Sequence, residues 1–338
     1  MENLDQVCNE GFDVVLKARG ITKWFALKKW FFEKQAYVRA VEDVSFDVYR
    51  GETLGIVGES GCGKSTLART LLRLIEPSRG VIEYEGKDIL KMSKQELRAL
   101  RRHVQIVFQD PYSSLHPRMT IGDILCEPLR ITGIMPDKKR QRERALELLS
   151  MVALDRSYAD RYPHELSGGQ QQRIAIGRAL ATYPELIVFD EPVSALDVSV
   201  RAQILNLIEE LQEELDLTYI FISHDLSVIE HICDRVLIMY LGHVMELAET
   251  EELFNNPLHP YTQALLSAIP QVDKAERRER ILLEGEIPNP INPPEGCRFH
   301  TRCRLATEIC LTKPEFRDVG NGHFVACHHV EEGTAELM

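Results

Sequence analysis

The fold of this chain is decided by the stretch Gly58-Glu59-Ser60-Gly61-Cys62-Gly63-Lys64-Ser65-Thr66. It fits the pattern G-x-x-x-x-G-K-[ST], whose glycines let the backbone curl until successive N–H groups face a phosphate. An apolar strand pattern over 52–57 precedes it and a helical pattern follows, so a helix N-terminus adds its dipole. Lys64 is expected to reach the β- and γ-phosphates and Ser65 a magnesium ion. A glycine-rich loop without a ligand is the alternative, which the flanking strand and helix disfavour.

Two carboxylates leave a second apolar strand pattern, Leu186-Ile187-Val188-Phe189-Asp190-Glu191. In a nucleoside triphosphatase, the first carboxylate after such a strand holds Mg²⁺ directly or through water. A second carboxylate one residue later can polarise the attacking water. An ordinary strand with acidic residues at its exit is the alternative, and the phosphate loop makes it the weaker one.

A serine–glycine turn, Leu166-Ser167-Gly168-Gly169-Gln170, stands before a helical segment at 171–181. Ser167 is suited to cap that helix, and two glycines allow an anion to approach the backbone closely. Such turns are common before helices, so this stretch taken alone is a weak signal.

The order of the apolar segments predicts an α/β fold. Strand patterns alternate with helical ones, which implies a mainly parallel sheet covered on both faces. The residues from about 110 to 180 are mostly helical and form an insertion into that fold. Several prolines between 288 and 294 precede a loop-rich tail, so we expect a main domain at 1–270 and an extension at 271–338.

Composition excludes some classes of function. The chain has 338 residues with 40 basic and 52 acidic side chains, a net charge of −12, which argues against a protein held by nucleic-acid phosphates. No apolar run approaches the roughly 18 residues that cross a bilayer, and the N-terminus lacks a secretory signal pattern. We therefore expect a cytoplasmic protein that meets the membrane only through partners.

The order of these motifs resembles that of ABC ATPases over about residues 14–255. The shared features are the phosphate loop, Gln109, Leu166 to Gln170, Asp190-Glu191, Ser194-Ala195-Leu196-Asp197 and His224. The resemblance implies a RecA-like P-loop core, an antiparallel β subdomain and an inserted helical subdomain. It also implies a head-to-tail dimer, in which each ATP lies between the phosphate loop of one subunit and the Ser-Gly-Gly-Gln segment of the other.

The resemblance also assigns roles to single residues. It makes Glu191 the general base or water-orienting residue, with Lys64 and His224 at the γ-phosphate. Ser65, Gln109 and Asp190 would serve the magnesium ion. The predicted ATP-binding set is Phe25, Gly58, Ser60, Gly61, Cys62, Gly63, Lys64, Ser65, Thr66, Gln109, Ser167, Gly168, Gly169, Gln170 and Asp197. Phe25 would stack on adenine; Tyr37 and Trp24 are alternatives, and a core aromatic is a third possibility.

Four of the eight cysteines crowd into the tail: Cys297, Cys303, Cys310 and Cys327. In a cytoplasmic chain such a group first suggests a metal site. The spacing lacks the tight pair usual in zinc modules and suits an iron–sulfur cluster at least as well. Nearby histidines keep zinc open, and plain reduced cysteines are a third reading.

The tail resembles that of the oligopeptide and dipeptide permease branch of ABC importers. The resemblance rests on His259 to Leu266, on Asn292 to Phe299 and on the closing Val325-Ala326-Cys327. It implies a [4Fe–4S] cluster, with zinc as the alternative, in a small cysteine-rich module of structural or redox role. The chain resembles the second ATPase subunit of a dipeptide permease most.

These expectations combine into one predicted function and its competitors. The protein would energise a peptide importer as a peripheral subunit on the cytoplasmic face of the inner membrane. Its partners would be a second, different ATPase subunit, two integral membrane permease subunits and an extracytoplasmic substrate-binding protein. Import of oligosaccharides or metal chelates is the alternative; a soluble ABC ATPase acting on DNA or ribosomes and a non-catalytic regulatory subunit are weaker ones.

Overall fold

A computed structural model describes residues 13–27, 35–269 and 280–330. The predicted boundary between 270 and 271 lies outside these residues. No helix in these three ranges combines the length and the apolar character needed to cross a membrane.

The order of the elements follows the predicted alternation of strands and helices. The strands are β1 (Val14–Ala26), β2 (Tyr37–Tyr49), β3 (Thr53–Val57), β4 (Arg79–Tyr84), β5 (Lys87–Asp88), β6 (Val104–Val107), β7 (Leu186–Asp190), β8 (Thr218–Ser223), β9 (Arg235–Tyr240), β10 (His243–Glu249), β11 (Arg317–Asp318) and β12 (Phe324–Val325). The α-helices are α1 (Lys64–Leu71), α2 (Lys94–His103), α3 (Pro111–Ser114), α4 (Ile121–Thr132), α5 (Lys138–Met151), α6 (Gly168–Leu180), α7 (Val198–Leu215), α8 (Leu226–Ile232), α9 (Thr250–Asn255) and α10 (Pro260–Ser267). Four short 3₁₀ helices are Arg156–Asp160, Pro163–Glu165, His300–Arg302 and Glu308–Leu311.

The chain divides into two compact units. The first comprises the described parts of Met1–Tyr49, Thr53–Leu90 and Ser223–Met338. The second comprises Arg50–Glu52 and Lys91–Ile222. The C-terminal residues from 280 therefore group with the strands and helices that surround the phosphate loop.

The first unit contains two sets of strands. One is a four-stranded antiparallel sheet in the order β2-β1-β4-β5, which agrees with the antiparallel subdomain that the family resemblance implies. In the other set, β3 pairs with β9 in parallel. The pairs β9–β10, β10–β12 and β12–β11 are antiparallel. All residues of β3 are buried, because its apolar side chains point to both faces of a covered sheet.

The second unit holds three parallel strands, β6, β7 and β8, and most of the helices. Every residue of β7 and β8 is buried, as expected for strands whose sequences are continuous apolar runs. Helices α3 to α6 occupy the region predicted to be a helical insertion. Because pairings of both directions occur in the described residues, the sheets are mixed rather than parallel alone.

Local sequence explains where the helices of the second unit begin. Ser93 caps α2 in a capping box with Glu96, and Thr120 and Asp137 accept N–H hydrogen bonds at the starts of α4 and α5. Gly133 ends α4 with a left-handed backbone, φ 69°.

Candidate functional site

The phosphate loop connects β3 to α1 in the first unit. Gly63 stands at the helix start with φ 110°, and a Cβ there would lie 2.0 Å from the carbonyl oxygen of Ala40. A Cβ on Gly58 would lie 2.1 Å from the carbonyl oxygen of Met239. Both positions therefore exclude any side chain, which lets the loop curl tightly against its neighbours.

The ammonium group of Lys64 is folded back into this loop. It donates to the carbonyl oxygens of Gly58 at 2.6 Å and Glu59 at 3.2 Å, and the residue is only 4% exposed. Cys62, beside it, is buried as well, and burial raises the pKa of its thiol. Burial therefore disfavours the reactive thiolate form of Cys62.

The aromatic residues near the end of β1 differ in how far their faces are covered. The guanidinium groups of Arg39 and Arg79 lie 5.1 Å and 5.8 Å from the Trp24 ring centre. Phe25 and Tyr37 are more open, at 38% and 41% exposed. The ammonium group of Lys23 lies 5.0 Å from the Phe25 ring centre, so Phe25 and Tyr37 remain alternatives for stacking on a base.

The carboxylates after β7 lie in the second unit. Asp190 is the buried last residue of the strand, and Glu191 follows it with an unusual positive φ of 52°. The Glu191 N–H donates a hydrogen bond to the carbonyl oxygen of Ile222 at 3.0 Å, which anchors the turn to β8. A non-glycine residue with this backbone carries strain of about 1 to 3 kcal/mol, and such strain clusters at functional sites.

Gln109 and Glu191 are brought together across 82 residues of sequence. The Gln109 Nε2 donates to Glu191 Oε2 at 3.0 Å and lies 3.3 Å from the Ser194 hydroxyl. That hydroxyl donates to the backbone oxygen of Glu191 at 3.1 Å. Ser194 opens the Ser194-Ala195-Leu196-Asp197 motif, and its contact with Gln109 adds it to the candidate site.

The Ser-Gly-Gly-Gln segment forms the predicted helix start. Ser167 accepts from the N–H of Gln170 at 3.4 Å, and the Gln170 side chain accepts from the N–H of Ser167 at 2.9 Å, a full capping box. A Cβ on Gly169 would lie 2.4 Å from Val200, so this glycine is required by packing against α7. Ser167 and Gly168 are exposed and open to a ligand or partner.

The other predicted residues occupy helix and strand ends. Asp197 is exposed at the start of α7 and makes no side-chain cap hydrogen bond there. His224, also exposed, directly follows β8 and belongs to the first unit. Lys64 and Ser65 belong to the first unit, whereas Gln109, Asp190 and Glu191 belong to the second.

The four C-terminal cysteines lie in one neighbourhood. The Cys297 N–H donates to the Cys310 carbonyl oxygen at 2.9 Å, and the Cys310 sulfur lies 3.6 Å from His329 Nε2. Burial raises the pKa of Cys297 to about 11 and also raises the pKa of Cys303 and Cys327. The charge of Cys310 acts in the same direction on all three pKa values.

The sulfurs are nevertheless not arranged as a ligand set. In residues 13–27, 35–269 and 280–330, no group of three or more His, Cys, Asp or Glu side chains is placed to hold a metal ion. None of the seven cysteines in these ranges takes part in a disulfide bond. The predicted [4Fe–4S] cluster therefore finds no support in the arrangement of the side chains, and neither does zinc.

Known proteins match both parts of the chain. Residues 41–194 match the ABC transporter family, and residues 245–310 match the oligopeptide/dipeptide transporter C-terminal region. The oligopeptide transport ATP-binding protein AppF of Bacillus subtilis (strain 168) is 54% identical over 94% of this chain and 97% of its own length. This chain belongs to the ABC transporter ATP-binding proteins of the oligopeptide/dipeptide transporter family.

Other relatives agree with this membership. The dipeptide transport ATP-binding protein DppF of Escherichia coli (strain K12) is 51% identical over 94% of this ABC protein and 95% of its own length. A solved dimeric ATP-binding cassette, bound to ADP and phosphate after hydrolysis, is 31% identical with a TM-score of 0.62. It covers 70% of this chain and 98% of its own. The protein is an ATPase with the ABC fold.

Proposed function

We propose that this ATPase is the energy-supplying subunit of an ABC importer for peptides of the di- and oligopeptide class. The observation that carries the proposal is the 54% identity to an oligopeptide transport ATP-binding protein along almost the whole of both chains. The match of residues 245–310 to an oligopeptide/dipeptide transporter region favours peptides over oligosaccharides or metal chelates.

The phosphate loop binds the nucleotide. Backbone N–H groups of the loop face the phosphates, and the N-terminus of α1 adds its positive dipole end. Lys64 exchanges the carbonyl oxygens of Gly58 and Glu59 for phosphate oxygens when ATP enters, since the charged acceptor is the stronger one. Six further residues complete the loop's contacts: Ser60, Gly61, Cys62, Gly63, Ser65 and Thr66. Phe25 stacks on adenine.

Oxygen donors suited to magnesium stand at the ends of three segments. The Ser65 hydroxyl, the Gln109 amide oxygen and the Asp190 carboxylate are the ligand types that Mg²⁺ prefers. When bound, the ion neutralises charge on the β- and γ-phosphates. Asp190 suits this role because it is held at the end of a buried strand.

Glu191 holds and polarises the attacking water as hydrolysis begins. The hydrogen bond from Gln109 orients the Glu191 carboxylate through Oε2. His224 contacts the γ-phosphate. The strained backbone of Glu191 is consistent with a side chain held for function rather than for stability.

A second ATPase subunit completes the site. The segment from Ser167 to Gln170, exposed at Ser167 and Gly168, presents a helix N-terminus, which suits the phosphate of an ATP held by the other subunit. Asp197 lies beside the same interface. We propose that the second subunit is a related but different chain, so that the functional unit is a heterodimer.

The remaining partners follow from the transport role. Two integral membrane permease subunits would receive the motion of the helical insertion at about 110–180. A substrate-binding protein outside the membrane would deliver the peptide. The protein itself would stay on the cytoplasmic face of the inner membrane, attached through the permease subunits.

The domain assignment and the cysteine cluster are part of the same proposal. The ATPase domain spans 1–270 and the extension 271–338, with a small module around Cys297, Cys303, Cys310 and Cys327. Four thiol donors in one short region, with the Cys297 N–H bonded to the Cys310 carbonyl oxygen, support a shared [4Fe–4S] ligand set. Zinc is the alternative metal.

Replacing Glu191 tests the ATPase mechanism. Glu191→Gln should retain ATP binding and abolish turnover, because the amide can still occupy the site but cannot polarise water. Glu213→Gln, an exposed glutamate on α7, is the matched control and should keep full activity. Undiminished turnover in Glu191→Gln would contradict the assignment.

Reconstitution tests the transport role. The protein should co-purify with integral membrane subunits, and peptide with its binding protein should stimulate ATP hydrolysis in proteoliposomes. Stimulation by an oligosaccharide or a metal chelate, with none by peptides, would replace the proposed substrate class. Absence of any membrane partner would favour a soluble ABC ATPase.

A further inference from the structure

An arginine from the C-terminal segment reaches the phosphate loop. Arg302 Nη1 donates to Glu59 Oε2 at 2.8 Å, and Nη2 donates to Glu59 Oε1 at 3.3 Å. The two residues are 243 positions apart, and both belong to the first unit. The Arg302 side chain is 7% exposed and that of Glu59 is 23% exposed. Solvent therefore screens this bidentate salt bridge only weakly.

The backbone of Glu59 is held as tightly as its side chain. Its N–H donates to the Tyr261 hydroxyl at 3.1 Å. Its carbonyl oxygen accepts from the Cys62 N–H at 3.2 Å and from Lys64, the cation of the loop. The orientation of Glu59 is therefore set from both sides, by α10 and the C-terminal segment on one and by the loop itself on the other.

Aromatic residues packed beside Arg302 hold its side chain near Glu59. The neighbouring ring of Phe299 is 1% exposed and packs edge-on against Tyr240 at 5.4 Å and tilted against Tyr261 at 5.2 Å. The Tyr240 hydroxyl is within 3.3 Å of Arg302 Nη1. Burial disfavours the charged guanidinium, but the hydrogen bonds to Glu59 and Tyr240 outweigh it, and the pKa of Arg302 is raised.

The charge balance of the loop depends on this pair. The loop is built to receive the negative charges of a nucleotide, yet Glu59 brings a carboxylate into it. Without a partner, that carboxylate would repel the phosphates across a partly buried, weakly screened distance. Arg302 offsets that charge and fixes the Glu59 carboxylate through bidentate geometry.

We propose that Arg302 of the C-terminal segment is a positioning residue for ATP binding, acting through Glu59 of the phosphate loop. This inference rests on the proposed ATPase function and deepens it, since it makes nucleotide affinity depend on the extension. Its role is electrostatic and geometric: it neutralises Glu59 and holds the loop in its receptive shape.

A double-mutant cycle on the full-length chain tests the proposal. The readout is the Kd of Mg-ATP measured by isothermal titration calorimetry, with the melting temperature of the nucleotide-free protein recorded beside it. Arg302→Gln should raise Kd roughly tenfold, as for a coupling of about 1.4 kcal/mol between neighbouring groups. Adding Glu59→Gln should recover most of the loss, because the repelling carboxylate is then gone.

Two further variants separate positioning from general packing. Arg302→Lys keeps the positive charge but cannot donate to both Glu59 carboxylate oxygens at once. Its Kd for Mg-ATP should therefore lie between those of the wild type and Arg302→Gln. Arg304→Gln, two residues away with an exposed contact to Gln263 at 3.2 Å, is the matched control and should bind ATP as the wild type does.

Each outcome decides a separate point. An unchanged Kd in Arg302→Gln, or a melting temperature that falls while Kd stays constant, would overturn the positioning role. Equal Kd values in Arg302→Gln and in the double variant would overturn the path through Glu59. Failure of the wild-type protein to bind Mg-ATP would instead contradict the proposed function.

Discussion

The Gln109 side chain donates a 3.0 Å hydrogen bond to the Glu191 carboxylate, although each residue follows a different strand. Parallel pairing of β6 and β7 places Val107 opposite Phe189, so the residues that follow emerge from the same edge of the sheet. The pair is therefore a product of strand register. It joins a residue proposed to meet the magnesium ion to one proposed to activate water.

Loss of the Gln109 amide should lower the rate more than the affinity. In Gln109→Ala, Glu191 loses an orienting hydrogen bond, and kcat is expected to fall by about 10- to 100-fold. Kd for Mg-ATP should change less, because the phosphate loop remains intact. Steady-state ATPase kinetics with binding titrations measure both quantities. Gln95→Ala, on the exposed side of α2, is the control and should leave kcat unchanged.

The phosphate loop should not tolerate a methyl group at Gly63. Gly63→Ala combines a left-handed backbone, which costs about 1 to 2 kcal/mol, with a Cβ 2.0 Å from the Ala40 carbonyl oxygen. Relieving that overlap adds about 1 to 3 kcal/mol to the loss of unfolding free energy. Gly86 also has a positive φ, 72° against 110° at Gly63, but a Cβ there would meet no atom within 4 Å, so Gly86→Ala should show only a backbone cost. Denaturant unfolding of both variants checks the difference, and equal losses would contradict it.

A buried pair in the first unit should make stability depend on pH. His323 and Glu246 are both fully buried with 2.7 Å between Nε2 and Oε1. Burial lowers the pKa of His323, but the hydrogen bonds and charges of Glu246 and Glu252 outweigh it and raise the pKa above 6.5. The stabilisation is therefore complete below pH 6.5 and is lost as the pH rises through the higher folded value.

Urea unfolding between pH 6 and pH 9 measures this slope. His323→Gln should remove it and cost about 3 to 5 kcal/mol at pH 6, because Glu246 loses its charged partner. Replacing the exposed His164 by glutamine should leave the slope unchanged.

The buried His259, whose pKa burial lowers to about 4, acts in the opposite direction: its contribution to stability is lost as the pH falls below 6.5. A stability that rises steadily up to pH 9 would contradict the assignment of His323.

Metal content tests the C-terminal cysteines. Protein purified without oxygen should be brown with about four irons and four sulfides per chain. Cys327→Ser should lose the metal, whereas Cys126→Ser, at a buried cysteine of the second unit, should keep it. One zinc per chain would make the region a zinc module, and no metal would leave the four thiols as plain cysteines.

Local patterns in the sequence were enough to predict the motifs and the elements that carry them. The strand before the phosphate loop, the capping box of Ser167 and Gln170, and the carboxylates after β7 each depend on residues close in sequence. Hydrophobic periodicity, helix caps and glycine turns involve residues a few positions apart, so they can be recognised before the tertiary structure is known. The family and its ATPase activity follow from the same motifs.

Only the tertiary structure decided which distant groups meet. The Gln109–Glu191 hydrogen bond, the His323–Glu246 pair and the Arg302–Glu59 fork join residues 82, 77 and 243 positions apart. Beside the parallel pairs that the sequence predicted, β10 pairs in antiparallel direction with β9 on one side and with β12 on the other. Such contacts depend on which strands pair and on which distant segments pack together in the core. Local residue preferences determine neither of these.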